Sequence, residues 1–204
     1  MKFAAITMRS DMIISRKEQR DSLDIRWYQF LNALDAQPII LPNNCFVAEQ
    51  ILAYRKIDFI ILSGGGDIFS ISGNMTERDQ IEKILLNYSR EKSIPVIGVC
   101  RGMQKMIEDC GGELCKIERH INIRHQVTGG NYSQVNSFHD YGVKEIPEQF
   151  VPFVLADDGT IEAFFSKELK WLGLMWHPER EEPFSKIDLV TIMNFLKGVN
   201  PCMV

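Results

Sequence analysis

The chain has 204 residues, 45% of them hydrophobic and 25% charged, which is ordinary for a soluble protein and predicts one globular domain over residues 1–204. A formal net charge of −4 offers no basic surface for nucleic acid or an anionic membrane, so neither partner is expected. Apolar runs fall well short of the roughly 18 residues that span a bilayer, and Arg9 and Asp11 come too early for a signal peptide, so we expect a cytoplasmic protein.

The N-terminal segment combines a strand with an arginine-rich stretch. Residues 2–7 predict a first strand, and residues 8–26 lead into a helix with apolar positions at Ile25, Tyr28, Phe30, Leu31 and Leu34. Two interpretations of residues 8–26 are open. The stretch is either a solvated loop running into the polar face of a helix, or a cover over an active-site mouth that offers guanidinium groups to an anionic substrate. The arginines concerned are Arg9, Arg16 and Arg20.

A triple glycine follows the third predicted strand. Residues 38–41 predict a second strand, residues 47–54 a short helix, and residues 58–62 a buried parallel strand that ends just before Gly64, Gly65 and Gly66. Glycine-rich turns can bind phosphate, but no Lys-Ser/Thr pair follows this one, which argues against a P-loop. The turn is either a tight loop or a source of backbone N–H groups for an oxyanion hole, from Gly64 or Gly65 together with Arg101.

Residues 76–92 predict a long helix in which Thr76 is the N-cap. Its inner stripe consists of Ile81, Ile84, Leu85 and Tyr88. The alternation of strands and helices predicts an α/β fold with a mostly parallel central sheet and helices on both faces. Ligands of such sheets bind beyond the carboxyl ends of the strands.

The next strand leads into a sharp turn around a cysteine. Residues 98–102 read Gly-Val-Cys-Arg-Gly between an apolar strand and a helix that carries Met103, Met106 and Ile107 and ends at two glycines. A lone cysteine in apolar surroundings is commonly inert packing. This spacing is instead that of a nucleophile elbow, which would place the Cys100 sulfur at a helix N-terminus, where the thiolate is favoured.

A downstream segment supplies partners for that cysteine. The apolar run from Trp171 ends in His177-Pro178-Glu179, and on extended backbone residues two apart project to the same side. The Glu179 carboxylate can therefore orient the His177 imidazole. Cys100, His177 and Glu179 would then form the nucleophile, base and orienting group of acyl-transfer chemistry.

The remaining cysteines and histidines suggest no metal or cofactor. Five cysteines stand at positions 45, 100, 110, 115 and 202 without the paired C-x-x-C spacing of zinc sites, so we expect free thiols, with all but Cys100 in packing or surface roles. His120 and His125 are interpreted as structural or exposed rather than catalytic. Residues 185–197 predict a closing helix whose apolar stripe packs on the core.

Four motifs together resemble the class I glutamine amidotransferase family, in its γ-glutamyl hydrolase branch. They are Gly-Val-Cys-Arg-Gly-Met-Gln at 98–104, Ser-Gly-Gly-Gly at 63–66, Val-Asn-Ser-Phe-His at 135–139 and Trp-His-Pro-Glu at 176–179. The resemblance implies a flavodoxin-like fold with small antiparallel additions within residues 113–156. It also implies that Gln104 holds the glutamyl portion of the substrate, on the helical face of Cys100.

The same resemblance assigns further substrate contacts. Backbone groups of Ser137 and Phe138 match positions that receive the glutamyl α-amino and α-carboxylate groups, and His139 matches the family's histidine. Relatives have His-Gln where this chain has Asp140 and Tyr141, so chemistry on the acceptor side is expected to differ.

The implied reaction is cysteine-dependent hydrolysis of a γ-glutamyl amide in a small molecule, and its leaving group is open. Within the branch, the chain most resembles hydrolases of capsule synthesis whose substrate amide carries a cytidine diphosphate, and Arg9, Arg16 or Arg20 would touch that diphosphate. A glutaminase that delivers ammonia to a separate synthase is an alternative. It is less favoured because no synthase domain is attached and the segment after the first strand is long. A non-catalytic cysteine sensor would leave His-Pro-Glu unexplained.

Overall fold

The computed structural model describes residues 1–201 of the chain. Within them the strands are β1 (Lys2–Thr7), β2 (Arg9–Ile13), β3 (Glu18–Ser22), β4 (Ala36–Leu41), β5 (Phe59–Leu62), β6 (Val96–Val99), β7 (Cys115–Lys116), β8 (Ile121–Thr128), β9 (Gln134–Phe138), β10 (Tyr141–Gly142), β11 (Val151–Ala156), β12 (Ile161–Ser166) and β13 (Trp171–Leu174). The helices are α1 (Arg26–Ala33), α2 (Cys45–Tyr54), α3 (Phe69–Ser72), α4 (Glu77–Lys92), α5 (Arg101–Asp109) and α6 (Lys186–Leu196).

In the described part of the chain, nine strands form one sheet in the order β4-β1-β5-β6-β13-β12-β11-β8-β9. The first five pair in parallel, and β12, β11, β8 and β9 extend the sheet with antiparallel pairing. Two-stranded sheets form from β7 with β10 and from β2 with β3. The predicted fold class is therefore confirmed, with an antiparallel extension on one side of the parallel strands.

Helices cover both faces because successive strand residues point to opposite sides. Ala4 and Ile6 of β1 pack in one apolar cluster with residues of α1 and α6. Ala5, between them, packs in a second cluster with residues of α2, α4 and α5. The two cores hold the parallel strands from both sides and fix the positions of their carboxyl ends.

Side-chain caps set the starts of three helices. Thr76 caps α4 and forms a capping box with Asp79, as the sequence predicted for Thr76. Asn44 accepts a hydrogen bond from the Val47 N–H at the start of α2, and Ser185 accepts one from the Asp188 N–H at the start of α6. These caps explain why the helix limits lie close to the predicted ones.

The N-terminal stretch, for which a solvated loop was one of two open interpretations, has regular structure. Strands β2 and β3 pair antiparallel around a 3-10 turn at Ile14–Arg16, so residues 9–22 form a β-hairpin. Of the apolar positions predicted for the helix that follows, Ile25 is 74% exposed and Tyr28 is 41% exposed. Trp27 supplies the buried position in α1 instead, because it lies three residues before Phe30 on the inner face.

The described cysteines Cys45, Cys100, Cys110 and Cys115 are free thiols, as predicted. Cys202 lies outside the described residues. Among residues 1–201, no helix combines the length and the apolar character needed to cross a lipid bilayer.

Candidate active site

Cys100 lies at a strained turn between β6 and α5. Its φ of 51° and ψ of −106° lie outside the usual regions for a residue with a side chain, which is the backbone signature of an elbow. The flanking glycines make this turn possible: a Cβ on Gly102 would lie 2.1 Å from the Leu62 carbonyl oxygen, and one on Gly98 would lie 2.6 Å from the Gly102 carbonyl carbon. The turn therefore requires glycine at both positions.

The sheet brings Cys100 and His177 together. Strands β6 and β13 are parallel neighbours, and Cys100 and His177 follow their carboxyl ends. The Cys100 sulfur is close enough to the His177 ring to favour its charged form. On the other side of the ring, Nδ1 of His177 lies 2.7 Å from Oε1 of Glu179. Imidazole and carboxylate thus form a buried pair at the sheet edge where the buried sulfur also lies.

The His177–Glu179 contact is made by a different backbone shape from the extended one that the sequence suggested. Residues Pro178–Arg180 form a 3-10 turn with proline at its first position, where the fixed φ of proline favours helical geometry. This turn folds the Glu179 carboxylate back onto the imidazole.

His177 is held in a charged state by its neighbours. Burial opposes the imidazolium, but the Cys100 sulfur and the Glu179 carboxylate more than offset it and raise the pKa of His177 to about 9. An imidazolium favours the charged form of a sulfur beside it. That pair supplies both a nucleophile and a proton donor for a leaving group.

The glycine turn lies against the His177 ring. A Cβ on Gly64 would lie 2.5 Å from Cε1 of His177, so only glycine allows this approach. The Arg78 guanidinium donates hydrogen bonds to the carbonyl oxygens of Ser63 at 2.6 Å, Gly64 at 3.3 Å and Gly65 at 2.6 Å. Because a trans peptide points its C=O and N–H in opposite directions, the N–H groups of Gly64 and Gly65 face away from Arg78.

Arg101 begins α5, so its backbone N–H is one of the first-turn donors that the helix itself does not use. Its side chain is buried and paired with Glu82 and, at 2.7 Å, with Asp79. Glu82 also accepts from Nε of Arg78 at 3.0 Å. One buried ionic network therefore joins the glycine turn, α4 and the elbow helix.

Asn136 is a residue whose role the sequence analysis did not assign. Its Oδ1 accepts from the His177 N–H at 2.9 Å and its Nδ2 donates to the His177 carbonyl oxygen at 2.9 Å. The amide therefore fixes the backbone of His177 from both sides. Its place in the Val-Asn-Ser-Phe-His motif was the available signal, but hydrogen bonds to a distant backbone leave no spacing pattern.

A cavity of about 260 Å³ opens beside His177. Its described lining includes Arg9, Trp27, Gly64, Gly65, Glu179 and Arg180. Of the three N-terminal arginines predicted to meet substrate, Arg9 lies here. Arg16 is exposed at the turn of the hairpin, and Arg20 is exposed and paired with Glu18 at 2.8 Å.

Arg180 follows the His-Pro-Glu motif directly and was not predicted as a site residue. Its guanidinium lies 4.5 Å from the Phe138 ring centroid, and its Nε is buried without a hydrogen-bond partner among residues 1–201. Arg180 also lines a neighbouring cavity of about 420 Å³, together with Arg26, Arg124 and Phe138. A ligand that extends from one cavity to the other would pass Arg180.

The motif at 135–139 covers most of β9, an edge strand of the sheet, and its side chains point to both faces of that strand. The Phe138 ring is 5.6 Å from the His177 ring, edge to face. Ser137 is fully buried, and its hydroxyl donates to the His120 carbonyl oxygen at 2.5 Å. His139 faces away from the cavity, toward other histidines and Glu162.

Gln104 is buried beneath the elbow. Its Nε2 donates to the Tyr141 carbonyl oxygen at 3.0 Å, and the same oxygen lies 3.1 Å from Nδ1 of His139. Gln104 thus contacts the segment that follows β9. Strand β9 itself carries Ser137 and Phe138, the residues expected to bind the glutamyl portion. In the structure, the side-chain amide of Gln104 is therefore hydrogen-bonded to the protein backbone.

Comparison with known proteins gives consistent results. Residues 20–187 match the family model described as Glutamine amidotransferase class-I. A γ-glutamyl-CDP-amidate hydrolase from Campylobacter jejuni is 32% identical over 192 residues, covering 92% of this chain and 95% of that protein. A glutamine-hydrolysing GMP synthase subunit from Methanococcus maripaludis is 31% identical over 159 residues, covering 73% of this chain and 78% of that one.

A solved structure agrees with the fold. A Thermoplasma acidophilum protein described as a GMP synthase subunit superposes with a TM-score of 0.72 at 16% identity, covering 97% of this chain and 94% of that chain. At that identity the likeness concerns the arrangement of strands and helices.

Proposed function

The chain belongs to the class I glutamine amidotransferase family, and we propose that it hydrolyses the γ-glutamyl amide bond of a small nucleotide-linked substrate through a γ-glutamyl thioester on Cys100. The observation that carries the proposal is that Cys100 and His177 follow neighbouring parallel strands, while the His177 imidazole is buried against the Glu179 carboxylate at 2.7 Å. The best candidate substrate is a γ-glutamyl cytidine diphosphoramidate, which would yield glutamate and cytidine diphosphoramidate.

The first half-reaction forms the thioester. The Cys100 thiolate attacks the γ-carbonyl carbon, and the carbonyl oxygen becomes an oxyanion that accepts hydrogen bonds from backbone N–H groups of Gly64 or Gly65 and of Arg101. Donors of this kind are worth about 2.7–4 kcal/mol each in acyl transfer. The C–N bond then breaks as the His177 imidazolium gives its Nε2 proton to the departing nitrogen.

The second half-reaction regenerates the enzyme. Neutral His177 takes a proton from water, the resulting hydroxide attacks the thioester carbon, and the C–S bond breaks to release glutamate and the Cys100 thiolate. Glu179 keeps Nδ1 of His177 protonated throughout, so Nε2 is the atom that exchanges protons with substrate and water.

Arginines around the cavity support an anionic leaving group, although Arg9, Arg26 and Arg124 also pair with Asp11, Asp24 and Glu181. Arg9 and Arg180 line the space beside His177, and Arg26 and Arg124 line the adjoining cavity. Guanidinium groups match phosphate oxygens in shape and charge. The similarity to a γ-glutamyl-CDP-amidate hydrolase points in the same direction. We propose that Ser137 and Phe138 bind the glutamyl end through their backbone groups, while the phosphates lie near Arg9 and Arg180.

The test compares substrates on the isolated chain. We expect glutamate release from the nucleotide-linked amide and slower release from glutamine, with no activity after Cys100→Ala. A thioester adduct on Cys100, seen by mass spectrometry after rapid acid quench, would identify the intermediate. Glutamate release that persists in Cys100→Ala would contradict the mechanism.

The similarity to a GMP synthase subunit favours a second candidate function, a glutaminase that supplies ammonia to a synthase. This alternative predicts that glutamine turnover is rapid only when a partner protein is added. Turnover of neither substrate would instead favour a cysteine sensor.

A further inference from the structure

A second group of titratable side chains lies in the antiparallel half of the sheet and contains none of the catalytic residues. His120 precedes β8, His125 lies within β8, His139 follows β9, and Glu162 lies on β12. Candidate ligand atoms of His120, His125 and Glu162 all lie within 4.8 Å of one another. Nε2 of His139 approaches the same carboxylate at 3.7 Å. These are three of the four histidines in the chain.

The atoms that face one another in this cluster have no ordinary partners. His120 and His139 are each 4% exposed and Glu162 is fully buried. Among residues 1–201, no hydrogen-bond partner is found for Nδ1 of His120, Nε2 of His125, Nε2 of His139 or either carboxylate oxygen of Glu162. Leaving that many polar atoms buried and unpaired would be costly, so their convergence calls for a ligand between them.

The distances between the Glu162 oxygens and the imidazole nitrogens suit shared coordination of a metal ion better than direct hydrogen bonding. Glu162 oxygens lie 3.5 Å from Nδ1 of His120, 3.5 Å from Nε2 of His125 and 3.7 Å from Nε2 of His139. Hydrogen bonds of this type are usually about 2.7–3.2 Å long. In a tetrahedral zinc site with bonds of about 2.0–2.1 Å, neighbouring ligand atoms are separated by about 3.3 Å.

The outer nitrogens of two imidazoles are held as they are in metal sites. Nε2 of His120 lies 3.2 Å from the Asp158 carboxylate, and Nδ1 of His139 lies 3.1 Å from the Tyr141 carbonyl oxygen. A ring that donates its outer N–H in this way presents a lone pair on its inner nitrogen. Both rings are therefore oriented as ligands.

We propose that His120, His125, His139 and Glu162 bind one divalent transition-metal ion, with zinc the best fit to four nitrogen and oxygen ligands. Four protein ligands leave no open position, so the ion has a structural role. It would link β8, the end of β9 and β12. Two hydrogen bonds extend this link: the His139 N–H donates to the His120 carbonyl oxygen at 3.0 Å, and the Ser137 hydroxyl donates to the same oxygen.

The experiment measures metal in protein produced without a polyhistidine tag. We expect elemental analysis after zinc reconstitution and gel filtration to give about one zinc per chain. The cobalt-substituted protein should show the intense visible bands of four-coordinate Co²⁺. Chelator treatment should lower Tm, and zinc should restore it. Substoichiometric zinc together with an unchanged Tm would overturn the proposal and leave a metal-free Glu162–imidazolium cluster.

Matched variants locate the site. His125→Asn changes the most exposed of the three histidines, and Glu162→Gln keeps the shape of the side chain while removing its charge. Both should lose bound zinc, whereas His177→Asn, which removes the remaining histidine, should retain it. If Glu162→Gln does not fold, His125→Asn and the chelator titration of the unmodified chain still decide the outcome. Retention of zinc by folded His125→Asn would contradict the assignment.

Discussion

Single residues set the catalytic geometry through approaches that only glycine allows. Gly102 lets α5 begin against the Leu62 carbonyl, and Gly64 lets the turn after β5 touch the His177 ring. The sequence predicted the glycines of the elbow because their spacing around Cys100 is a recognised pattern. It could not predict which glycine contacts the histidine, since that contact joins residues more than a hundred positions apart.

Replacing Gly64 by alanine should displace His177. The new methyl group would meet Cε1 of His177, and misplacement by about 1 Å can lower a rate about 100-fold, so we expect kcat to fall by at least that factor. Steady-state kinetics and circular dichroism would check this. Gly66→Ala is the matched control, because a Cβ there meets no atom within 4 Å, although its positive φ costs a little stability. Equal kcat values for the two variants would contradict the role of Gly64.

Removing the sulfur charge should lower the pKa of His177 below about 9, because Cys100 is the strongest of the groups that raise it. We expect this in Cys100→Ser and, separately, in Glu179→Gln, which removes the other negative neighbour. Titration of the His177 ring by NMR measures the change. A His177 pKa unaffected by Cys100→Ser would show that no thiolate–imidazolium pair forms.

At the scale of elements, helix α4 supports the glycine turn at 63–66 through Arg78. Arg78 reaches three carbonyl oxygens of that turn and the Glu82 carboxylate, while remaining almost fully buried. The sequence predicted the apolar stripe of α4 but assigned no role to its charged residues, because a buried arginine has no periodic signature. The β2–β3 hairpin was likewise missed, since its strands are largely polar and exposed and lack hydrophobic alternation.

Arg78→Lys should therefore lower catalysis as well as stability. The lysine ammonium is a compact charge that cannot hold three carbonyl oxygens at once. The backbone N–H groups of the turn would therefore no longer be held in a fixed orientation. We expect kcat to fall about 10-fold or more with a smaller change in KM. The exposed Arg90, on the same helix, offers Arg90→Lys as a control that should leave kcat unchanged. A loss of Tm in Arg78→Lys with unaltered kcat would assign Arg78 a purely structural role.

Arg9 and Arg180 should distinguish the nucleotide substrate from a simple γ-glutamyl amide. If they meet the phosphates, Arg9→Gln and Arg180→Gln should each reduce kcat/KM for the nucleotide substrate by about 10-fold or more, in line with the strength of charge-assisted hydrogen bonds. Activity on an uncharged γ-glutamyl anilide should change much less. Arg16→Gln and Arg20→Gln, on the outer hairpin, serve as controls. Equal losses on both substrates would argue against phosphate binding.

Across the whole molecule, two packed cores position the site, and one of them contains a buried acid. Asp188, at the start of α6, accepts a hydrogen bond at 3.1 Å from the indole of Trp176, the residue directly before His177. Burial raises the pKa of Asp188 to about 7. The global arrangement was predictable because strand and helix patterns alternate along the chain. The pairing of Asp188 with Trp176 was not, because it depends on how α6 lies on the sheet.

The raised pKa makes stability depend on pH in a definite direction. Since the folded state binds this proton more tightly than the unfolded chain, the Asp188 contribution is most favourable below pH 4 and is lost as pH rises through about 7. Asp188→Asn should therefore gain stability relative to the native chain as pH rises from 4 to 8, by up to roughly 4 kcal/mol. Urea unfolding at both pH values would measure it. If the difference in the free energy of unfolding between Asp188→Asn and the native chain did not change with pH, the pKa of Asp188 would not be raised.

The Tyr141 carbonyl oxygen, which meets both Gln104 and His139, explains why an unusual sequence at 140 and 141 is compatible with this site. Main-chain oxygens are present whatever amino acid occupies a position, so a change of the side chain at 141 leaves this hydrogen-bond acceptor in place. The difference from the His-Gln expected in relatives at these positions therefore leaves intact the hydrogen bonds that link the elbow helix to the histidine cluster.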